Sequence, residues 1–185
     1  MNRATAQAPI IGIAGWKKSG KTTLVTRLIA EFTARGLKVA TVKHAHHDFQ
    51  IDDGATDSAR HRRAGAAQVA IVSAKRWAMI EELGGTPEPA LDDVISRIGP
   101  CDLIIVEGYK SAPIPKIEVR RTLAVSNVPL ADNDPNVRAI AADYAMETRQ
   151  VPVFALDDIA GIADFIAATV DVRAPTQAAA ATSAE

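Results

Sequence analysis

The sequence predicts an α/β fold of three layers, with a mainly parallel central sheet and helices on both of its faces. Two apolar runs and one amphipathic stretch carry that prediction. Ile10-Ile11-Gly12-Ile13-Ala14 is short, aliphatic and followed by Gly15, the pattern of a buried strand that ends in a turn. Leu24, Val25, Leu28, Ile29 and Phe32 then recur at intervals of three or four and share one helical face. Asp102-Leu103-Ile104-Ile105-Val106-Glu107 shows no alternation between its acidic ends, so both faces of this strand are covered, as in a parallel sheet.

The remaining elements follow in order. The first helix starts near Lys21 and stops at Arg35-Gly36. Lys38 to Lys43 reads as a second strand, expected to pair parallel to the first through a right-handed crossover. His44 to Gly54 is a polar loop leading to a short polar helix over residues 55–64. Gln68 to Ser73 and Arg76 to Glu82 are close enough to form a hairpin, and residues 90–98 have helical spacing at Val94, Ile95 and Ile98. Strands near Lys116–Arg120, Val137–Ala142 and Val151–Ala155 precede a last helix, for which Asp157 is the expected N-cap. Residues 1–9 and the Ala-rich stretch 173–185 are expected to fray, and no Pro-, Gly- or Ser-rich linker divides residues 10–172, which are expected to form one domain.

Composition limits the functions available. Across 185 residues, 48% hydrophobic and 23% charged, the 21 basic and 22 acidic side chains nearly cancel. A basic nucleic-acid-binding surface and a disordered acidic tail are both disfavoured, and any phosphate chemistry must come from local geometry. Cys101 is the single cysteine, so neither a disulfide framework nor a cysteine zinc site is available, and a reducing cytoplasm is the expected location. No apolar run approaches the roughly 20 residues of a membrane helix, so no membrane partner is expected.

Local chemistry is concentrated in Gly15-Trp16-Lys17-Lys18-Ser19-Gly20-Lys21-Thr22, which satisfies G-x-x-x-x-G-K-[ST] between a strand and a helix. Glycines let the backbone turn its N–H groups toward phosphate, and the helix N-terminus adds partial positive charge. The fold is therefore expected to be P-loop NTPase-like. Gly15, Trp16, Lys18, Ser19, Gly20, Lys21, Thr22 and Thr23 are the nucleotide-binding candidates, with Lys21 on the β- and γ-phosphates and Thr23 near the α-phosphate. Mg²⁺ is expected on the Thr22 hydroxyl, with Glu107 at the end of its apolar strand as the carboxylate on the metal side. Asp102, at the opposite end of that strand, reads as structural.

Lys43-His44-Ala45-His46-His47-Asp48-Phe49 should emerge at the same sheet edge. Its histidines lack zinc-like spacing, which favours a loop that senses the terminal phosphate. Asp48, Asp52, Asp53 and Asp57 are candidates to orient water; Asp48 and Asp53, with Glu107, are assigned to catalysis. Arg60, His61, Arg62 and Arg63 form either an anion clamp or a solvated face.

Several separated segments resemble the MobB family of molybdopterin-guanine dinucleotide biosynthesis adapter proteins. They are Gly20-Lys21-Thr22-Thr23, Val42 through Asp48 with Gly54 and Asp57, residues 64–68, Arg76-Trp77-Ala78, Val106 through Lys110, Lys116-Ile117-Glu118 and residues 157–165. The resemblance spans about residues 10–170. It implies a GTP-binding protein with weak GTPase activity, usually a homodimer, whose partner is the guanylyltransferase that attaches GMP to molybdopterin. On that reading the protein assists the enzyme without performing the transfer. Preference for GTP over ATP rests on the resemblance, because the base-reading tetrapeptide Asn-Lys-x-Asp is absent. Lys17 and Lys18 stand where family members often have small residues. A small-molecule kinase using Arg60, Arg62 and Arg63 as a lid, and a dimeric interaction protein whose nucleotide only stabilises its shape, are the competing readings.

Overall fold

The structure is a computed structural model that describes residues 8–45, 49, 51–52, 54–126, 128–146 and 151–173. It contains two compact units, one of residues up to His44 together with those from Val94 onward, the other spanning Ala45–Asp93.

The first unit is built on β1 (Ile10–Ala14), α1 (Lys21–Ala34) and β2 (Val39–Lys43), with α2 (Asp57–Arg63) and the hairpin strands falling in the other unit. After α3 (Leu91–Ser96) come β5 (Leu103–Glu107), β6 (Lys116–Arg120), β7 (Val137–Ala142), β8 (Val153–Ala155) and α4 (Ile159–Thr169). Its six-stranded sheet has the order β2-β5-β1-β6-β7-β8, with every pairing parallel. The mainly parallel α/β architecture is the one the sequence predicts.

The expected pairing of β2 with β1 is corrected by this order. β5 lies between them, with Val39 opposite Leu103 and Lys43 opposite Glu107. The cause is burial. All five β5 residues are buried and suit an interior position, whereas β2 keeps Thr41 and Lys43 exposed and suits an edge.

On one face of the sheet Ile11, Ile13, Leu103, Ile105, Ile117 and Val119 pack against Leu24, Leu28 and Phe32 of α1 and Ile162 and Ile166 of α4. By strand alternation Ile104, Val106, Ile140 and Ala142 are buried on the other. Glu118 is 1% exposed on β6 and holds the chain that follows, accepting from the N–H groups of Leu130 at 3.0 Å and Ala131 at 2.9 Å and from Arg120. Asp102 caps the opposite strand end by accepting from the Lys38 N–H at 2.7 Å, the structural role expected of it.

A second correction concerns α4. Its N-cap is Asp158, whose Oδ1 accepts from the Gly161 N–H at 3.0 Å. Asp157 instead pairs with Arg27 of α1. The helix starts one residue later than the sequence suggests because the Asp158 carboxylate reaches the first-turn N–H, while that of Asp157 is turned to Arg27.

In the second unit, α2 (Asp57–Arg63) is capped by Thr56, and β3 (Gln68–Val72) pairs antiparallel with β4 (Trp77–Glu81). Arg62 donates to the carbonyls of Ile51 at 3.0 Å and Asp52 at 2.8 Å and to Glu82 at 2.8 Å, while Arg63 donates to the Gly54 carbonyl at 2.7 Å. Arg62 thus binds the preceding loop and the hairpin, whereas Arg60, His61 and Arg63 are exposed, as the solvated-face reading has them.

Candidate functional site

The site lies where β1 and its neighbours end. The turn from β1 into α1 requires its glycines. Gly15 has φ 152°, and a Cβ there would meet the Val119 carbonyl at 2.5 Å and Ser19 Oγ at 2.7 Å. Gly20 at φ 94° and Lys18 at φ 66° are also left-handed, which folds the loop back on itself. The Ser19 N–H donates to the Trp16 carbonyl at 3.1 Å, and Lys21 Nζ donates to the same oxygen at 2.7 Å. Ser19 Oγ is buried and makes no hydrogen bond among the described residues.

Glu107 sits beside the loop. Thr22 Oγ1 donates to Glu107 Oε1 at 2.6 Å, and Lys43 Nζ lies 3.8 Å from that oxygen. The strand register that sets Lys43 opposite Glu107 produces this cluster. Burial pushes the Lys21 ammonium below its ordinary pKa, and Lys110 and Lys43 add to that, against the opposing field of Glu107.

The turn after β5 is tied to both neighbours. Gly108 at φ 94° donates its N–H to the Ile13 carbonyl at 3.1 Å, and a Cβ there would meet His44 Cβ at 3.0 Å. His44 stacks on Tyr109 with centroids 4.5 Å apart, and Lys110 Nζ stands 3.9 Å over the Trp16 ring. Trp16 Nε1 donates to the Val128 carbonyl at 2.7 Å and the Val125 N–H to the Lys17 carbonyl at 3.0 Å, so the chain after β6 is laced to the loop.

An open depression of about 420 Å³ is lined by Lys18, Gly20, Lys21, Thr22, Thr23, Arg121 and Leu123. The structure thus brings Gly15 through Thr23 and Glu107 together. Asp48, Asp53, His46 and His47 lie outside the described residues. No cluster of three or more His, Cys, Asp or Glu suited to a metal occurs among the described residues. Arg121 and Leu123 were not singled out in the sequence; their signal is position, directly after an apolar strand at the ligand-bearing sheet edge.

Comparison with known proteins assigns the relatives of this site. The profile of the family described as MobB, molybdopterin guanine dinucleotide synthesis protein B, matches residues 10–143. The chain belongs to the MobB family. It is 39% identical over 163 residues to a molybdopterin-guanine dinucleotide biosynthesis adapter protein of Haemophilus influenzae, covering 86% of this chain and 88% of that one. The corresponding adapter protein of Escherichia coli is 37% identical over 160 residues, covering 85% and 91%. Among solved structures, a MobB homolog from Bacillus stearothermophilus superposes with a TM-score of 0.67 at 28% identity, over 89% of this chain and 99% of that one. Bacillus subtilis MobB shares the fold at a TM-score of 0.70 and 24% identity, over 88% and 98%. No helix among the described residues is long and apolar enough to cross a membrane.

Proposed function

We propose that this chain is a magnesium-dependent GTP-binding adapter in the synthesis of molybdopterin guanine dinucleotide. It acts in the cytoplasm as a homodimer beside the guanylyltransferase that forms the dinucleotide. The observation that carries this reading is the 2.6 Å contact between Thr22 and Glu107 beside a loop whose Ser19 hydroxyl is buried without a partner among the described residues. Both features suit a group placed in the loop: a buried polar atom needs a hydrogen bond, and a hydroxyl beside a carboxylate offers the hard oxygen donors that Mg²⁺ takes.

In this reading the N–H groups of the turn and Lys18 bind phosphate oxygens, and Lys21 exchanges its bond with the Trp16 carbonyl for the β- and γ-phosphates. Thr23 binds the α-phosphate. Thr22 and Glu107 would hold Mg²⁺, which when bound supplies charge neutralisation to the phosphates. Lys43 beside Glu107 limits the negative charge of the cluster. Asp48 and Asp53 are assigned to orienting water, and hydrolysis is slow because only loop residues are offered for positioning that water.

The test is capture of the guanylyltransferase from the same cell by tagged protein, with GTP or without nucleotide, alongside binding of labelled GTP and ATP in Mg²⁺. GTP-dependent capture and preferential GTP binding are expected. Capture indifferent to nucleotide, or equal binding of ATP, contradicts the reading.

A further inference from the structure

The sheet order divides the site. β5, with Glu107, lies on one side of β1, and β6, β7 and β8 lie on the other. All strands are parallel, so the residues directly after β6, β7 and β8 reach the same edge as the phosphate loop: Arg121, Asp143 and Leu156. A second, more enclosed cavity of about 130 Å³ is lined by Gly20, Thr23, Arg27, Arg121, Asp143 and Leu156, among others. It shares Gly20, Thr23 and Arg121 with the depression over the loop. A ligand whose charged end lies by Lys21 and Glu107 therefore continues past Thr23 toward Asp143.

Asp143 is held for use there. Its Oδ1 accepts from the Thr122 N–H at 2.8 Å and from Thr122 Oγ1 at 3.1 Å, whereas Oδ2 has, among the described residues, only a looser 3.4 Å ion-pair contact with Arg121 Nε. Burial opposes ionisation, but these hydrogen bonds outweigh it and keep the carboxyl below its ordinary pKa. Leu123 and Leu156 supply apolar surface at the two cavities.

We propose that Asp143 is the specificity-determining residue of the site, accepting the N1–H and 2-amino donors of a guanine base that lies past Thr23 between Arg121 and Leu156. A carboxylate suits guanine because guanine presents two adjacent donors there, whereas adenine presents an acceptor at N1. The assignment rests on the GTP reading above and supplies a base-reading group where no Asn-Lys-x-Asp tetrapeptide exists.

The experiment measures binding of the magnesium complexes of GTP, ITP and XTP to the wild-type protein and to Asp143→Asn, with Lys21→Ala as the control for phosphate binding. Wild type should bind ITP, which lacks the 2-amino group, about tenfold or more weakly than GTP, and Asp143→Asn should weaken GTP by about ten- to a hundredfold. The same variant should bind XTP more tightly than wild type does, because its carboxamide can donate to the 2-oxo group; loss of a merely structural bond to Thr122 would not produce that gain. Thr122→Val should keep the GTP preference. Lys21-dependent GTP binding with no discrimination against ITP, or with an unchanged preference in a folded Asp143→Asn, overturns the assignment and leaves the GTP reading standing. Absence of Lys21-dependent binding in the wild type overturns the GTP reading itself and the assignment with it.

Discussion

Truncating Glu118 should cost more than any change at the surface, and its effect should reach the phosphate loop. Its side chain is 1% exposed, and both oxygens are fully used: Oε1 accepts from Leu130 N at 3.0 Å and Arg120 Nε at 2.9 Å, Oε2 from Ala131 N at 2.9 Å and Arg120 Nη2 at 2.8 Å. Those bonds raise the pKa of the Arg120 guanidinium above its ordinary value against the opposing effect of burial. Glu118→Ala leaves two main-chain N–H groups and one guanidinium without their acceptor. An unpaired buried N–H costs about 1 kcal/mol or more, and breaking a buried ion pair by removing one partner costs about 3–5 kcal/mol. These overlap, so about 3–5 kcal/mol is expected in total, or a fall in Tm of roughly 6–20 °C for a chain of this size. Urea unfolding followed by circular dichroism measures it. Adding Arg120→Ala should recover about 2 kcal/mol of the sum of the single effects. GTP binding should weaken as well, since Val125 and Val128 tie the chain after β6 to Lys17 and Trp16. A loss under about 1 kcal/mol, or strict additivity with Arg120→Ala, would refute the reasoning.

Other perturbations separate the parts of the structure. Gly15→Ala places a Cβ 2.5 Å from the Val119 carbonyl, so a loss of about 2–4 kcal/mol and of nucleotide binding is expected in thermal melts and titrations. Asp158→Ala removes the α4 cap and should cost about 1 kcal/mol in urea unfolding, whereas Asp157→Ala removes only an exposed pair with Arg27 and should cost about 0.5 kcal/mol or less. The folded-state pKa of Lys21 is lowered, so between that value and the ordinary lysine value the unfolded chain binds more protons. Its contribution to the stability of the nucleotide-free protein therefore rises with pH across that window, and the rise should vanish in Lys21→Met when melts are recorded along a pH series.

Much of the scaffold was legible in the sequence because its signals are local. The strand Ile10–Ala14, the helix from Lys21, and the strands Lys116–Arg120 and Val137–Ala142 have the bounds that apolar patterning gives them. The loop from Gly15 to Thr22 was legible too, since its glycines answer a backbone requirement visible in the spacing alone. The place of β5 between β2 and β1 was not, because which strands pair depends on which one the finished core buries on both faces. The α4 cap was misplaced by one residue, since Asp157 and Asp158 are equal as N-cap types and only their folded partners, Arg27 for one and the Gly161 N–H for the other, separate them. Whether Arg62 faces an anion or solvent was open in the sequence, because its partners, the carbonyls of Ile51 and Asp52 and the carboxylate of Glu82, are not displayed there. Arg121 and Asp143 were missed for a related reason: they follow different strands, and only the sheet order brings them beside Thr23.

The central claim is that the turn from Gly15 to Thr23, with Glu107 beside it, binds the phosphates of a magnesium nucleotide. Isothermal titration of magnesium GTP into wild type and into Lys21→Ala, with circular dichroism to establish that the variant is folded, tests it most directly. Saturable binding by wild type and a loss of a hundredfold or more in the folded variant is the expected result. Affinity within about threefold of wild type in that variant, or no saturable binding by the wild-type protein, would contradict the account.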